Sequence, residues 1–485
     1  MPNETKKRVI MIMIHALSDQ NLQEALKEKK APALQFFIDH GHYLSNMVSP
    51  FPTVSVNVES TILTGHNNDR HKIPGLIWYS EKEKRLLDYN KRFHRILQKS
   101  VEDLPRINKY LSNDMRTIHE VLHENRIRTA SIGAHMFRGN FSYELTTSQR
   151  VLSSIRDQKT FQVQAPEYFS YGAYQQIGTE KRHTAFWQNN GLNDQFATEE
   201  LLYLLRHGKL PPFILLTLPD LERSVKKYGR FDMKGIEKVN GHLEAILNAY
   251  TNWEDALREN IWIIIGNRGH AWLSDDKKDA SIDLRKLFKS YKIANRRKEV
   301  TKKDELAFAI NERMAYIYPF HSDKNSLEDL TKKLQLDNRI AIIAIKKGKW
   351  VTVTSGLHNG FLRFSQGGPL IDQYGQSWTI EGNKNILNLS IRGRKIEYGN
   401  YPDALARLDA SFSSHEGTFI IVSANPGHLF VDGRFPTYVG RAASGGLHKQ
   451  DSLVATIVSG TDSLPNHHRL VDMKDWILSL LLVRK

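Results

Sequence analysis

The residues best placed to do chemistry lie in one stretch, Ser49-Pro-Phe-Pro-Thr-Val-Ser-Val-Asn-Val-Glu-Ser-Thr-Ile-Leu-Thr-Gly65. Proline fixes φ on the approach and restricts the residue before it, so the backbone around Phe51–Thr53 is expected in one shape. A hydroxyl delivered just after such a turn, at the start of a helix, sits among unpaired backbone N–H groups. It could act as a nucleophile or hold an anion there. The same pattern also suits a Ser/Thr-rich helix cap with no chemistry. Further candidates stand directly after short apolar runs: His15 after Ile14, Asp220 after Leu218-Pro219, and Asn267-Arg268 after Ile263-Ile-Ile-Gly266. In parallel sheets the active crevice lies beyond the carboxyl ends of the strands, which is where these groups fall.

The elements that must position them alternate short apolar runs with helical patterns, the signature of an α/β fold: a mainly parallel sheet with helices on both faces. Strands are expected at Val9–Ile14, Thr129–Ile132, Phe213–Leu218, Ile261–Ile265, Ile340–Ile345, Phe419–Ser423 and Leu453–Val458. Helices are expected at Asn21–Glu28, Ala31–His40, Thr198–His207, Lys234–Arg258, Asp403–Leu408 and Met473–Leu482. Ser80–Asn125 is charged and reads as helical. From about Ser290 to Gly399 the pattern becomes antiparallel alternation with Gly367-Gly-Pro and Tyr374-Gly turns. The expected organisation is therefore a core in two parts, 1–289 and 400–485, around an inserted α+β subdomain at 290–399.

The 485 residues are 40% hydrophobic and 25% charged, an ordinary globular balance. No apolar run reaches the length of a transmembrane helix. Arg8–Ile14 breaks at His15 without a small-residue cleavage site, so it reads as a buried first strand and not a leader. The absence of cysteine excludes disulfides, thiolate metal sites and thiol catalysis, and suits a cytoplasmic protein. A formal charge of +15 could mark an anionic partner. However, Lys27-Glu-Lys-Lys30, Arg296-Arg-Lys-Glu299 and Lys302-Lys-Asp-Glu305 mix both signs without interleaved aromatics. These are expected to be solvated helix faces, and nucleic acid is not the expected partner.

The Ser49–Tyr79 stretch resembles the nucleophile segment of nucleotide pyrophosphatase/phosphodiesterases of the alkaline phosphatase superfamily, P-T-x-T-F-P-N-H-x-S-L-x-T-G-x-x-P-D-x-H-G-I-P-G-N-x-W-Y. Pro52, Thr53, Thr64, Gly65, Asp69, His71, Ile73, Pro74, Gly75, Trp78 and Tyr79 fall in step without a gap. Tyr401-Pro-Asp-Ala-Leu-Ala-Arg407 and Gly446-Leu-His-Lys-Gln-Asp-Ser-Leu-Val454 are similar to segments of bacterial members. The resemblance implies the alkaline phosphatase-like fold. It also implies hydrolysis of phosphate diesters by a hydroxyl nucleophile and two metal ions, usually zinc.

Carried over position by position, the resemblance puts the nucleophile at Ser55 and replaces the phosphoryl-binding Asn by Val58. The former metal positions then fall on His15, Asp220, Lys226, Asn267, Arg268 and Ser444, with Ser55 at the nucleophile between them. Of the metal ligands only Asp220 keeps its type, while His270 lies two residues after Arg268. An Asn binds zinc poorly, and an Arg cannot be deprotonated to bind a cation. Fixed positive charge at Lys226 and Arg268 would also repel a metal by several kcal/mol even at an effective dielectric of about 20. No metal cofactor is therefore expected.

The leading expectation is a degenerate phosphodiesterase that has lost two-metal hydrolysis. His15, Lys226, Asn267 and Arg268, partly paired with Asp220, would line a pocket for a phosphate- or nucleotide-like small molecule. The same charges could instead form internal ion pairs that only fill the cavity. A second expectation is an active phosphoesterase using Ser55, with Lys226 and Arg268 stabilising charge and His15 or Asp220 as base. A third is a binding or scaffold protein acting through the 290–399 region or a basic face.

Overall fold

Strands with apolar side chains on both faces must be covered on both sides, and this rule builds the centre of the molecule. The structure is a computed structural model describing residues 7–89, 104–146, 160–178, 191–321, 326–433 and 439–482. Its main sheet has seven strands in the order Gly41–Val48, Leu453–Ser459, Asn260–Gly266, Arg8–Ile14, Phe213–Leu218, Thr129–Ile132 and Tyr168–Ser170. Arg8–Ile14 lies in the middle, parallel to both neighbours, with Val9 to Ile14 buried. Leu453–Ser459 alone runs against the rest. One face packs on helices Asp19–Lys27, Pro32–Asp39, Asp194–Arg206, Asp220–Tyr228 and Met233–Leu247. The other is covered by Ser55–Thr64, Ile118–Glu124 and Met473–Leu481. Among the described residues no helix is long and apolar enough to cross a membrane.

A second, nine-stranded sheet is almost wholly antiparallel and is built mostly from residues 306–398. It also takes in Ile420–Ala424, a segment expected in the final part of the core. An apolar run reads the same in either sheet, because periodicity reports burial on both faces and not the partner strand. Two further expectations change. Lys234–Arg258 is two helices, Met233–Leu247 and Trp253–Glu259, the second capped by Asn252 through Asp255 N. The charged segment from Ser80 opens with a hairpin, Ile77–Ser80 with Arg85–Asp88, before reaching helix Ile118–Glu124. Residues 90–103 of that segment lie outside the described residues.

Buried arginines tie the two sheets together. Arg313, fully buried, donates to Asp451 at 2.8 Å and to the carbonyls of Ala424, Asn425 and His428. Arg407 reaches Ser452 Oγ at 2.8 Å and the Pro402 carbonyl at 2.9 Å. Such planar, permanently charged groups satisfy several acceptors at once, which suits a junction between irregular segments.

Asp403 precedes helix Ala404–Phe412 in the left-handed conformation, φ 48°, which Asn also tolerates. Burial pushes its carboxyl up to about 7, with Arg469 opposing and Asp372 adding to the shift. A folded value above the ordinary 3.8 means this group's stabilisation is complete below 3.8 and is lost as pH rises through about 7. Asp403→Asn should therefore gain melting temperature relative to wild type between about pH 4 and about pH 7, then level off, as read by calorimetry across that range.

Candidate functional site

Ser55 is the first residue of the ten-residue helix Ser55–Thr64, every residue of which is buried. The turn before it, with a cis Phe51–Pro52 bond, is fixed from several directions. Ser49 Oγ donates to the Asn267 carbonyl at 2.8 Å, and Thr53 Oγ1 accepts from Gly445 N at 2.8 Å. Asn57 Nδ2 donates to the Pro52 carbonyl at 2.7 Å, and Ser411 Oγ to the Phe51 carbonyl at 2.9 Å. Gly445 is required here: φ is +108°, and a Cβ would lie 2.2 Å from the Asn311 carbonyl oxygen. The opening hydroxyl of the helix is thus held against the ends of two main-sheet strands.

Those strand ends deliver the other groups. His15 follows Arg8–Ile14, and Ala16 beyond it adopts φ 69°, its N–H donating to Asn267 Oδ1 at 3.2 Å. A left-handed alanine is strained, and the Asn267 bond helps to hold it. Arg268 follows Asn260–Gly266, where a Cβ on Gly266 would lie 2.0 Å from the Leu17 carbonyl oxygen. Arg268 Nη1 donates to Ser55 Oγ, while Nη2 meets Glu222 Oε1 at 2.7 Å. Lys226 Nζ lies 2.7 Å from the same Glu222 oxygen and 2.5 Å from Glu312 Oε1. His15 Nδ1 is 3.1 Å from Glu222 Oε2, and its Nε2 is 3.8 Å from Glu59 Oε1. His270 Nε2 approaches Glu222 Oε1 at 3.9 Å. Three cationic groups therefore converge on one buried carboxylate, with Glu59 and Glu312 on either side.

Burial alone would keep the His15 ring neutral, but its bond to Glu222 and the nearby Glu59 carboxylate outweigh that and raise its pKa. Glu59 is lowered: burial opposes the charge, while His15, His135 and Met136 N–H favour it. His270 is pushed down to about 4 by burial, with Glu222 pulling upward and the Lys226 and Arg268 charges pushing downward, so its ring is neutral at physiological pH. Among the described residues, several buried polar atoms around this cluster lack a hydrogen-bond partner within bonding distance: His15 Nε2, Glu59 Oε1, Asn267 Nδ2, Arg268 Nε and both His270 ring nitrogens. Among the described residues no group of three or more His, Asp or Glu side chains is arranged to hold a metal ion.

Of the positions singled out by sequence, His15, Ser55, Lys226, Asn267 and Arg268 come together. Ser444 joins through Glu312, its N–H and hydroxyl donating to Oε2 at 3.0 and 3.3 Å. Asp220 does not pair with Lys226. Its carboxylate accepts from Asp194 N–H at 3.2 Å and from Arg223. The helix explains this, because residues four apart share a face and residues six apart do not, so Glu222 and not Asp220 meets Lys226. The three glutamates were missed altogether. Glu59 had a visible signal as the lone charge in an apolar, hydroxyl-rich helix, and Glu222 had the four-residue spacing to Lys226. Glu312 had none, since it reaches the site from a two-residue hairpin turn of the second sheet, at φ 61°.

Removing the shared carboxylate tests the cluster. Glu222→Gln leaves Lys226 and Arg268 buried with less compensation, so a loss of about 3–5 kcal/mol in denaturant unfolding is expected. The His15 ring should also titrate at lower pH by NMR, because Glu222 is its nearest carboxylate.

Comparison with known proteins follows the same lines. A search of curated protein sequences finds no match to the chain. Among solved structures, phosphonoacetate hydrolase from Sinorhizobium meliloti 1021, in complex with phosphonoformate, aligns with a TM-score of 0.59 at 13% identity, covering 99% of this chain and 97% of that one. Murine ectonucleotide pyrophosphatase/phosphodiesterase 5 aligns with a TM-score of 0.57 at 9% identity, covering 98% and 95%. An inactive form of the murine protein in complex with AMP gives 0.56 at 9% identity, also covering 98% and 95%. At such identities the likeness speaks for the fold. The family model for type I phosphodiesterase / nucleotide pyrophosphatase matches residues 9–353. The chain belongs to that family and has the fold of the alkaline phosphatase superfamily.

Proposed function

We propose that this chain is a family member that has lost two-metal hydrolysis and binds a phosphate-bearing small molecule at Ser55 without cleaving it. The observation that carries this reading is the surplus of unpaired buried donors. Among the described residues Asn267 Nδ2, Arg268 Nε and a His270 ring nitrogen have no hydrogen-bond partner, while His15 Nε2 has only Glu59 Oε1, 3.8 Å away. An oxyanion brings several acceptor oxygens and no donors. The N-terminus of helix Ser55–Thr64 favours the same charge. Relatives of known structure hold phosphonoformate and AMP, which sets the class of ligand to try.

The residues do not suit the family's pair of zinc ions. Zinc needs deprotonated imidazole, carboxylate or thiolate donors. Here Glu222 is already shared by Arg268 and Lys226, and the motif positions carry Asn267 and Arg268 in place of Asp and His. Hydrolysis through Ser55 without metal is the second reading, and the local bonding does not favour it. Ser55 Oγ accepts from Arg268, while His15 is engaged with Glu222 and Asp220 with Asp194 and Arg223. None of these is hydrogen-bonded to the hydroxyl as a base would be. The absence of cysteine suits the cytoplasm as its compartment.

Calorimetric titration with AMP and with inorganic phosphate tests the reading. Wild type should bind, and Arg268→Ala should bind at least about tenfold more weakly. Purified protein should carry no stoichiometric zinc and should not release nitrophenol from bis(p-nitrophenyl) phosphate. Stoichiometric zinc with chelator-sensitive hydrolysis would sink the proposal. Chelator-resistant hydrolysis that disappears in Ser55→Ala would establish the second reading instead.

A further inference from the structure

Away from the Glu222 cluster, the structure contains a cleft of a different chemical kind. Its volume is about 320 Å³, and it is lined by Asn385, Asn388, Asn400, Asn425, Tyr401 and His448, with Leu357 and His358 at its edge. It lies where the outer strands of the second sheet, the segment after Ile420–Ala424 and the start of helix Lys449–Ser452 meet. Ligand pockets begin at about this size.

Four carboxamides converge here, and their bonding leaves them available. The side chains of Asn385, Asn400 and Asn425 make no hydrogen bond with the described residues. Asn388 sits at φ 49° and uses its oxygen on Asn400 N–H at 2.9 Å, leaving its NH₂ unused. His448 Nδ1 accepts from Gln450 N–H at 3.2 Å, which places the ring proton on Nε2 as a further donor. Burial, with Arg313 and Lys449 nearby, pushes His448 down to about 3, so the ring carries no charge at physiological pH. Its ring meets Tyr401 edge-on, centroids 5.7 Å apart at 84°, and both rings are largely buried at the base of the cleft.

Among the described residues no Lys, Arg, Asp or Glu side chain lines this cleft, in a chain whose formal charge is +15. A charged ligand would leave water here without a counter-ion. A ligand that suits it is neutral and carries many hydroxyls, each both donor and acceptor. An amide presents a donor and an acceptor side by side, which matches two adjacent hydroxyls. We propose that this cleft is a binding site for a neutral saccharide, held by the Asn385, Asn388, Asn400 and Asn425 amides against Tyr401 and His448. The site is separate in chemistry from the charged cluster around Ser55.

Saturation-transfer NMR on the full chain tests this, with glucose, galactose, N-acetylglucosamine and trehalose as probes and adenine and uridine as controls. At least one saccharide should show transfer. Asn385→Ala and Asn425→Leu should each weaken its affinity at least about tenfold while melting at the wild-type temperature. Asn385 is exposed, so its variant keeps the test valid if Asn425→Leu does not fold. The proposal falls if no saccharide shows transfer, if transfer survives both substitutions, or if only adenine or uridine shows it.

Discussion

A buried carboxylate must be compensated, and in this protein the compensation of Glu222 draws distant parts of the chain to one point. His15 arrives from the central strand, Arg268 from the neighbouring strand and Lys226 from one turn further along the helix of Glu222 itself. An isolated charge in such a place would cost several kcal/mol, so each partner is bound as strongly to the group as the group is to it. Lys226 passes the linkage to Glu312, and Glu312 to Ser444, which brings the second sheet and the loop before Leu453–Ser459 into the same cluster. Arg268 passes it to Ser55, at the head of the helix on the opposite face. The crevice beyond the strand ends is therefore crossed by one connected set of charges.

The sheets give that set its rigidity. Arg8–Ile14 is buried on both faces and paired on both edges, so His15 leaves it from a fixed point. Asn267 bonds to Ala16, and Ser49 bonds to the Asn267 carbonyl, so the first strand, the neighbouring strand and the Ser55 turn hold each other. Arg313 and Asp451 add a second buried ion pair at the junction of the sheets. Polar bonds at these places do what apolar packing cannot, because they fix direction as well as proximity.

The family frame and the charge cluster respond to different physical demands. Pro52, Gly65, Pro74 and Gly75 set backbone shape, and a helix still starts at Ser55 and ends at Gly65, whose φ is 70°. The side chains at the strand ends set chemistry, and there Arg268 and Lys226 gather on Glu222. A guanidinium and an ammonium supply positive charge without needing a metal, and each brings directional donors. The price is three glutamates in the same small volume, Glu59, Glu222 and Glu312.

The sequence by itself determined the family, the α/β class, the central strands and the helix start at Ser55. These follow from local rules: apolar runs, proline and glycine at fixed spacing, and a hydroxyl after the turn. It also pointed to His15, Asn267 and Arg268, because residues just after strands converge in this architecture whatever their type, and to Lys226 through the family resemblance. Only the tertiary structure decided which sheet received Ile420–Ala424, since an apolar strand carries no label for its partner. It alone also chose the counter-ions. Asp220 held the matching motif position, yet Glu222 faces the cluster because the helix turns it inward, and Glu312 enters from a hairpin of the other sheet. Electrostatic pairing acts through space, and the distances that decide it are not written along the chain.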